Sequence, residues 1–247
     1  MGRALFFCDK LYNKNMDEIK DKDVSSGSKY FLYVAILFVA TLMISNTVAV
    51  KIIQIGGFFF TGAILIFPLT YIFGDILTEV YGYKASRKII WSGLVANVLM
   101  SLGYFLVQIL PAAPFWPNQG AYEIILGIVP RIVLASIVGY FVGEFCNSYV
   151  LSKLKILMGG KHLWVRTIGS TVVGEGVDTF LFVTIGFFGT IPTGSLIMII
   201  ISGYLFKVFY EVLATPLTYL IVNRLKKAEG IDVYDIGVNY NPFSLKK

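Results

Sequence analysis

Between Phe67 and Trp91 the chain reads FPLTYIFGDILTEVYGYKASRKIIW. This apolar run carries Asp75 and Glu79 toward its end, breaks at Tyr81-Gly82, and is followed at once by Lys84, Arg87 and Lys88. A charge near mid-bilayer costs roughly 2.5 to 3.5 kcal/mol on insertion scales, so two carboxylates in one apolar segment need a protected or wet environment. Lys and Arg collect on the cytoplasmic side of spanning helices. The basic cluster therefore predicts a helix that runs from outside to inside and ends near Tyr81.

The rest of the chain repeats the pattern. Of its 247 residues 56% are hydrophobic, and the mean hydropathy is +0.74, which excludes an ordinary soluble domain. Runs near the roughly 20 residues that a hydrocarbon core requires predict six spans. They cover about Tyr30 to Val50, Phe59 to Val80, Ile89 to Leu110, Ile124 to Val150, Trp164 to Gly189, and Ser195 to Val222. Basic residues mark the N-terminal tail, the turns after the second and fourth spans (Lys153, Lys155, Lys161) and the end of the sixth (Arg224, Lys226, Lys227). The other connections are nearly free of them, Lys51 excepted. The expectation is an all-α membrane protein, a six-transmembrane-helix bundle with N- and C-termini cytoplasmic. Residues 1–29 form a charged cytoplasmic tail, 30–222 the membrane domain and 223–247 a second cytoplasmic tail. In the first tail Leu5, Cys8, Tyr12, Met16 and Ile19 have helical spacing, which allows a surface helix on the bilayer or a solvated segment. Leu5-Phe6-Phe7 is too short an apolar region for a signal peptide.

Small residues mark helix contacts. Thr41, Ser45 and Ala49 recur at i+4, Gly93, Asn97 and Ser101 share a face, and Gly139 with Gly143 forms GxxxG. Asn46 reads as interhelical glue or as a pocket ligand, since a buried amide needs partners in either role. The linker Pro111 to Gln119 is uncharged and proline-rich and reads as an outer cap.

The net charge of +6 follows membrane orientation rather than a nucleic-acid footprint, so no nucleic-acid partner is expected. Cys8 and Cys146 have no neighbours at metal or redox spacing. His162 is the sole histidine, which removes a His-based metal site or triad. Gly159-Gly160-Lys161 lacks the first glycine and the Ser or Thr of a phosphate loop. Neither a cofactor nor a metal is expected, and without a visible nucleophile and base an enzyme is not.

What remains is a density of ionisable residues inside spans, which mark a substrate or ion path. Asp75, Glu79, Glu144 and Arg166 lie nearer the cytoplasmic face, where a charge-paired structural or gating role is expected. Glu175 and Asp178 stand three apart on one helix face near mid-span, in GSTVVGEGVDT. Two carboxylates so close repel unless a cation, a donor-rich ligand or a proton intervenes, so they are candidates for ligand or proton binding, or for pairing with Arg131 or Lys207. Lys207 and Glu211, at i and i+4, can satisfy each other.

Five stretches carry a resemblance: the Phe67–Trp91 segment, PRIVLAS from Pro130, GEGVDT from Gly174, KVFYEVLATPLTY from Lys207, and IDVYDIGVNYNPF ending at Phe243. Together, over about residues 31–243, the chain resembles the vitamin uptake transporter-like (VUT) family, whose members are queuosine precursor transporters of bacterial inner membranes. The resemblance implies a six-helix importer of 7-deazaguanine bases, the cyano or aminomethyl forms, for tRNA modification. Such a base offers adjacent N–H and amine donors that a carboxylate accepts in bidentate fashion, and a carbonyl that wants a donor. Glu175 and Asp178 suit the donor edge, with Arg131 or Asn97 opposite the carbonyl and Lys207 and Glu211 completing the substrate-binding set. A substrate-capturing membrane subunit of an energy-coupling-factor-type complex is the alternative, which leaves an ATPase coupling module or a homo-oligomer open as partners.

Overall fold

The computed structural model describes residues 27–56, 58–127, 129–189 and 192–243. The proposed surface helix of the N-terminal tail lies outside them. In order the chain forms α1 (Phe31–Val48), a hairpin of β1 (Ile52–Ile55) and β2 (Phe58–Thr61), a 3-10 turn (Gly62–Leu65), α2 (Phe67–Tyr81), α3 (Tyr83–Gln108), α4 (Gln119–Leu126), α5 (Val129–Leu157), α6 (Leu163–Phe187) and α7 (Thr193–Glu229). Five of these, α1, α3, α5, α6 and α7, are long and apolar enough to cross a membrane.

The second expected span is corrected. Instead of a helix from Phe59 to Val80, the chain makes a two-stranded hairpin, a 3-10 turn and then a 15-residue helix. Ile55 pairs with Phe58, and Gly56 adopts φ +57°, a left-handed conformation that a side chain would resist. The aromatic run that follows favours a strand, and Pro68 in the first turn of α2 suits a helix start rather than an interior. At 1.5 Å per residue α2 is about 22 Å long, short of a 30 Å hydrocarbon core. It is a central helix: every residue is buried except Leu69 and Phe73, which are half-buried. Non-helical backbone at membrane depth is tolerated where protein buries it or a cavity borders it, and the hairpin does border one.

Three further boundaries shift. Gly82, at φ +84°, turns the chain directly from α2 into α3, so Lys84, Arg87 and Lys88 belong to the first turns of α3 and not to a loop. The expected fourth span is divided at Gly127 into α4 and α5, and α5 runs on through Lys153 and Lys155. Helix α7 continues past Val222 to Glu229, with Pro216 inside it.

The packing inverts that of a soluble protein. Leu99, Leu102 and Leu106 of α3 and Ile201, Leu205, Leu213 and Leu217 of α7 are exposed, while Asp75, Glu79, Glu144, Arg166, Glu175 and Glu211 are buried. An apolar solvent around the bundle accounts for both. Close approach of α5 and α6 depends on glycine: a Cβ at Gly143 would lie 2.7 Å from the Asp178 Cβ, and one at Gly174 would lie 2.7 Å from the Asn147 Cβ. The GxxxG expectation is met there, and the contact fixes the height of Asp178 against α5.

The start of α1 meets the end of α7, since the Lys29 and Tyr30 amides donate to the Glu229 carboxylate at 3.0 and 2.7 Å. Both lie at the bundle end where the basic residues collect. The stretch after α7 straps that end. Arg87 donates to the carbonyls of Asn239 and Asn241 at 2.8 and 2.9 Å, Trp91 donates to that of Pro242, and Asp235 accepts from the Tyr83 amide and from Ser152. Burial alone would push the Asp232 carboxyl up, but hydrogen bonds and charge from Lys155 and Lys226 outweigh it and hold the group below the usual carboxylate range. The strap's acidic anchor is therefore ionised throughout the physiological range.

Candidate functional site

The site is built from the non-basic halves of the helices. A cavity of about 110 Å³ is bordered by the last turns of α1, the hairpin, the second half of α3, the end of α4, the start of α5 and the facing halves of α6 and α7. That is comparable with the roughly 150 Å³ apolar cavity that admits a benzene ring. Its wall is mostly apolar and aromatic, with Phe60, Phe67, Tyr104 and Phe182 around it. A few converging polar groups are what a small-molecule site uses to fix orientation. Here they form two sets.

On one wall Lys207 reaches from α7 to α6. Its Nζ lies 2.7 Å from Glu175 Oε2 and 2.9 Å from Asp178 Oδ2, donates to Thr179 Oγ1 at 3.1 Å, and sits 4.3 Å from the Phe67 ring centroid. Opposite, Asn46 of α1 donates to Asn97 Oδ1 of α3 at 2.5 Å and accepts from Ser136 of α5 at 2.7 Å. Asn97 also donates to the Gly93 carbonyl. Three helices are thus joined by an amide-amide-hydroxyl chain that borders the cavity.

The structure sorts the sequence candidates. Asp178, Lys207 and Asn97 border the cavity. Glu175 lies one turn along α6 from Asp178, is buried outside the lining, and reaches the site through Lys207. Lys207 turns to α6 and pairs with Glu175 and Asp178, so the i, i+4 pairing with Glu211 is not the one formed. Glu211 is buried one turn beyond, and its Oε1 has no hydrogen-bond partner among the described residues. The side chain of Arg131 lies outside those described. Asp75 and Glu144 occupy the bundle centre, where Asn147 donates to Asp75 Oδ1 at 2.7 Å.

Glu79 and Arg166 sit at the basic end in an ion cluster. Arg166 donates to Glu79, Lys226 approaches Glu79 Oε1 at 2.5 Å, and Lys155 lies 3.5 Å from the same atom while bonding Asp232 at 2.6 Å. Lys155 and Lys226 read in sequence only as orientation markers. The signal that could have placed them was the Asp232 and Asp235 pair in the tail motif. Tyr104 carries no distinguishing sequence signal and Ser136 only its place at the end of PRIVLAS, because hydroxyls are common on helix-packing faces.

A bundle of long apolar helices with buried charges and a polar-bordered cavity defines a multi-pass membrane protein. The family model described as "Putative vitamin uptake transporter" matches residues 61–221, and the chain belongs to that family. The chain is 30% identical over 178 residues to the "Probable queuosine precursor transporter" of Bacillus subtilis, covering 71% of this chain and 77% of that one. It is 24% identical to the "Queuosine precursor transporter" of Escherichia coli over 81% of this chain and 89% of that one, and 28% identical to the Haemophilus influenzae "Probable queuosine precursor transporter" over 67% and 66%. No solved structure matches it.

Proposed function

We propose that this protein imports queuosine precursors, 7-deazaguanine bases, across a bacterial inner membrane for tRNA modification. The observation that carries the reading is the cavity itself, in which an acid-lysine pair faces an amide-hydroxyl chain between aromatic walls. The Asp178 carboxylate accepts the donor edge of the base. Asn97 and Asn46 meet its carbonyl and ring nitrogens, and Phe67, Phe182 and Tyr104 flank its plane. Lys207 holds Asp178 in place, and Glu175 holds Lys207 from behind. The names of the relatives point to the same substrate class. Chemistry on the base is no part of this role.

The bundle crosses the membrane six times, the hairpin and α2 together making the second crossing, with both termini cytoplasmic. Residues 30–222 form the transport domain, flanked by tails at 1–29 and 223–247. The basic end is then cytoplasmic, and the cavity lies in the outer half above a closed inner half. Reporter fusions after Asn118 and Thr193 should register outside, and fusions after Gly160 and Glu229 inside. A cytoplasmic reporter at Asn118 would remove this map.

Uptake tests the substrate. Cells unable to make deazaguanines should accumulate a labelled base only when this protein is expressed, and unlabelled guanine should compete poorly with the 7-substituted bases. Copurification of an ATPase required for uptake would reassign the chain as the capturing subunit of a larger complex.

A further inference from the structure

Between the cavity and the ion cluster at the basic end lies a group of buried polar side chains that ligand binding leaves unused. Asp75 of α2, Glu144 of α5 and Glu211 of α7 are each 1% exposed or less. Asp75 Oδ2, both carboxylate oxygens of Glu144 and Glu211 Oε1 have no hydrogen-bond partner among the described residues. The same holds for the hydroxyls of Tyr71 and Tyr140 and for Asn147 Oδ1. Buried polar atoms are ordinarily bonded, so so many in one place need an occupant.

Charge gives the occupant's sign. Across this middle layer α2 contributes Tyr71 and Asp75, with Glu79 one turn on; α5 contributes Tyr140 and Glu144; α6 contributes Glu175 and Asp178; α7 contributes Lys207 and Glu211. Helix α1 brings Phe38 to the Gly74 face beside Glu144, and α3 brings Gly93 to the Tyr140 hydroxyl. Lys207 is the single cation of the layer among the described side chains, and Glu175 and Asp178 already engage it. Asp75 interacts electrostatically with Glu211 and with Glu144, and Glu144 with Glu175 and Asp178. Leaving such carboxylates charged and unpaired is strongly unfavourable.

We propose that Asp75, Glu144 and Glu211 form a proton site, and that its loading from the outer half and unloading toward the cytoplasmic half drive import. This rests on the transport reading above. A proton suits the geometry better than a metal ion, because no group of three or more His, Cys, Asp or Glu side chains among the described residues is placed to hold one. A proton taken from water converts a carboxylate oxygen to O–H, a donor that a neighbouring orphan acceptor such as Asn147 Oδ1 or Asp75 Oδ2 can receive. Release returns it to water on the other side, and no bond of the base changes. Glu144 interacts with Glu175 and Asp178, which hold Lys207, so loading can be sensed at Lys207 and the ligand.

Two readouts test the proposal. Infrared difference spectra of the purified protein need no substrate: the wild type should show a protonated-carboxyl stretch at neutral pH, part of which is lost in Glu144→Gln and in Asp75→Asn. In proteoliposomes carrying labelled deazaguanine, an inward proton gradient should drive accumulation by the wild type. Glu144→Gln should lose that accumulation to the level of protein-free vesicles while keeping counterflow of base against base. Asp75→Asn serves as the second variant where Glu144→Gln fails to elute as a folded monodisperse species. Absence of the infrared band, accumulation driven by sodium rather than protons, or proton-driven accumulation intact in both variants would overturn the site. Wild type that shows the titrating band yet neither binds nor exchanges a deazaguanine would instead overturn the substrate reading and leave the proton site standing.

Discussion

Asp178→Ala and Lys207→Ala are expected to weaken binding of a 7-deazaguanine base by roughly thirtyfold to several thousandfold. Removing one partner of a buried, hydrogen-bonded charge pair costs about 2 to 5 kcal/mol, and each 1.4 kcal/mol is a factor of ten in Kd. Both losses act on the same wall. Without Asp178 the donor edge of the base meets no acceptor, and Lys207 keeps only Glu175 and Thr179. Without Lys207 two carboxylates three residues apart repel, and Asp178 loses the bond at 2.9 Å that orients it. Asp178→Asn keeps shape and one acceptor, so it should cost less than Asp178→Ala. Glu175→Gln should cost less again, because Glu175 acts through Lys207 and does not border the cavity. Equilibrium binding to the purified variants gives the ranking, and equal affinities across the series would take the pair out of the site.

Glu79→Ala should act on the fold instead. Its carboxylate is inaccessible and gathers Arg166, Lys226 and Lys155, so truncation leaves three cations together at the basic end, with Asp232 still pairing the two lysines. Breaking a buried pair by removing one partner costs about 3 to 5 kcal/mol. In a chain of this size that corresponds to a fall in Tm on the order of 10 °C, measured in detergent on the membrane-extracted protein. Base affinity of the fraction that folds should be unchanged, since Glu79 does not border the cavity. A Tm equal to wild type would show that the cluster contributes nothing to holding the inner half closed.

The five long apolar helices were legible because apolar run length reflects a large free energy, the transfer of side chains to hydrocarbon. The hairpin was not. Phe58–Thr61 and the turn after it are as apolar as the helix they precede, and hydropathy does not distinguish a strand from a helix. Gly56-Gly57 ahead of three phenylalanines was the available signal, since a two-glycine loop between β-favouring runs is a hairpin pattern. The strap after α7 left no apolar trace either. Several of its contacts use backbone carbonyls of Asn239, Asn241 and Pro242, which any side-chain sequence could supply, and only Asp232 and Asp235 mark it in sequence.

At the site, i, i+3 spacing put Glu175 and Asp178 on one face of α6, but which of the two borders a cavity depends on the rotation of the helix. The Gly139, Gly143 and Gly174 contact helps set that rotation and carries Asp178 to the cavity wall. Lys207 had two acidic partners within reach in sequence terms, Glu211 on its own helix and the pair on α6. Two carboxylates and a hydroxyl on α6 offer it more than one carboxylate a turn away.

The central claim is that a deazaguanine base binds beside Asp178 and Lys207, and equilibrium binding of a labelled cyano- or aminomethyl-deazaguanine to the purified wild type measures it most directly. Saturable binding is expected, displaced by the unlabelled base and lost in Asp178→Ala while that variant remains folded. Saturable binding that is identical in wild type and Asp178→Ala, or no binding by folded wild type, would contradict it.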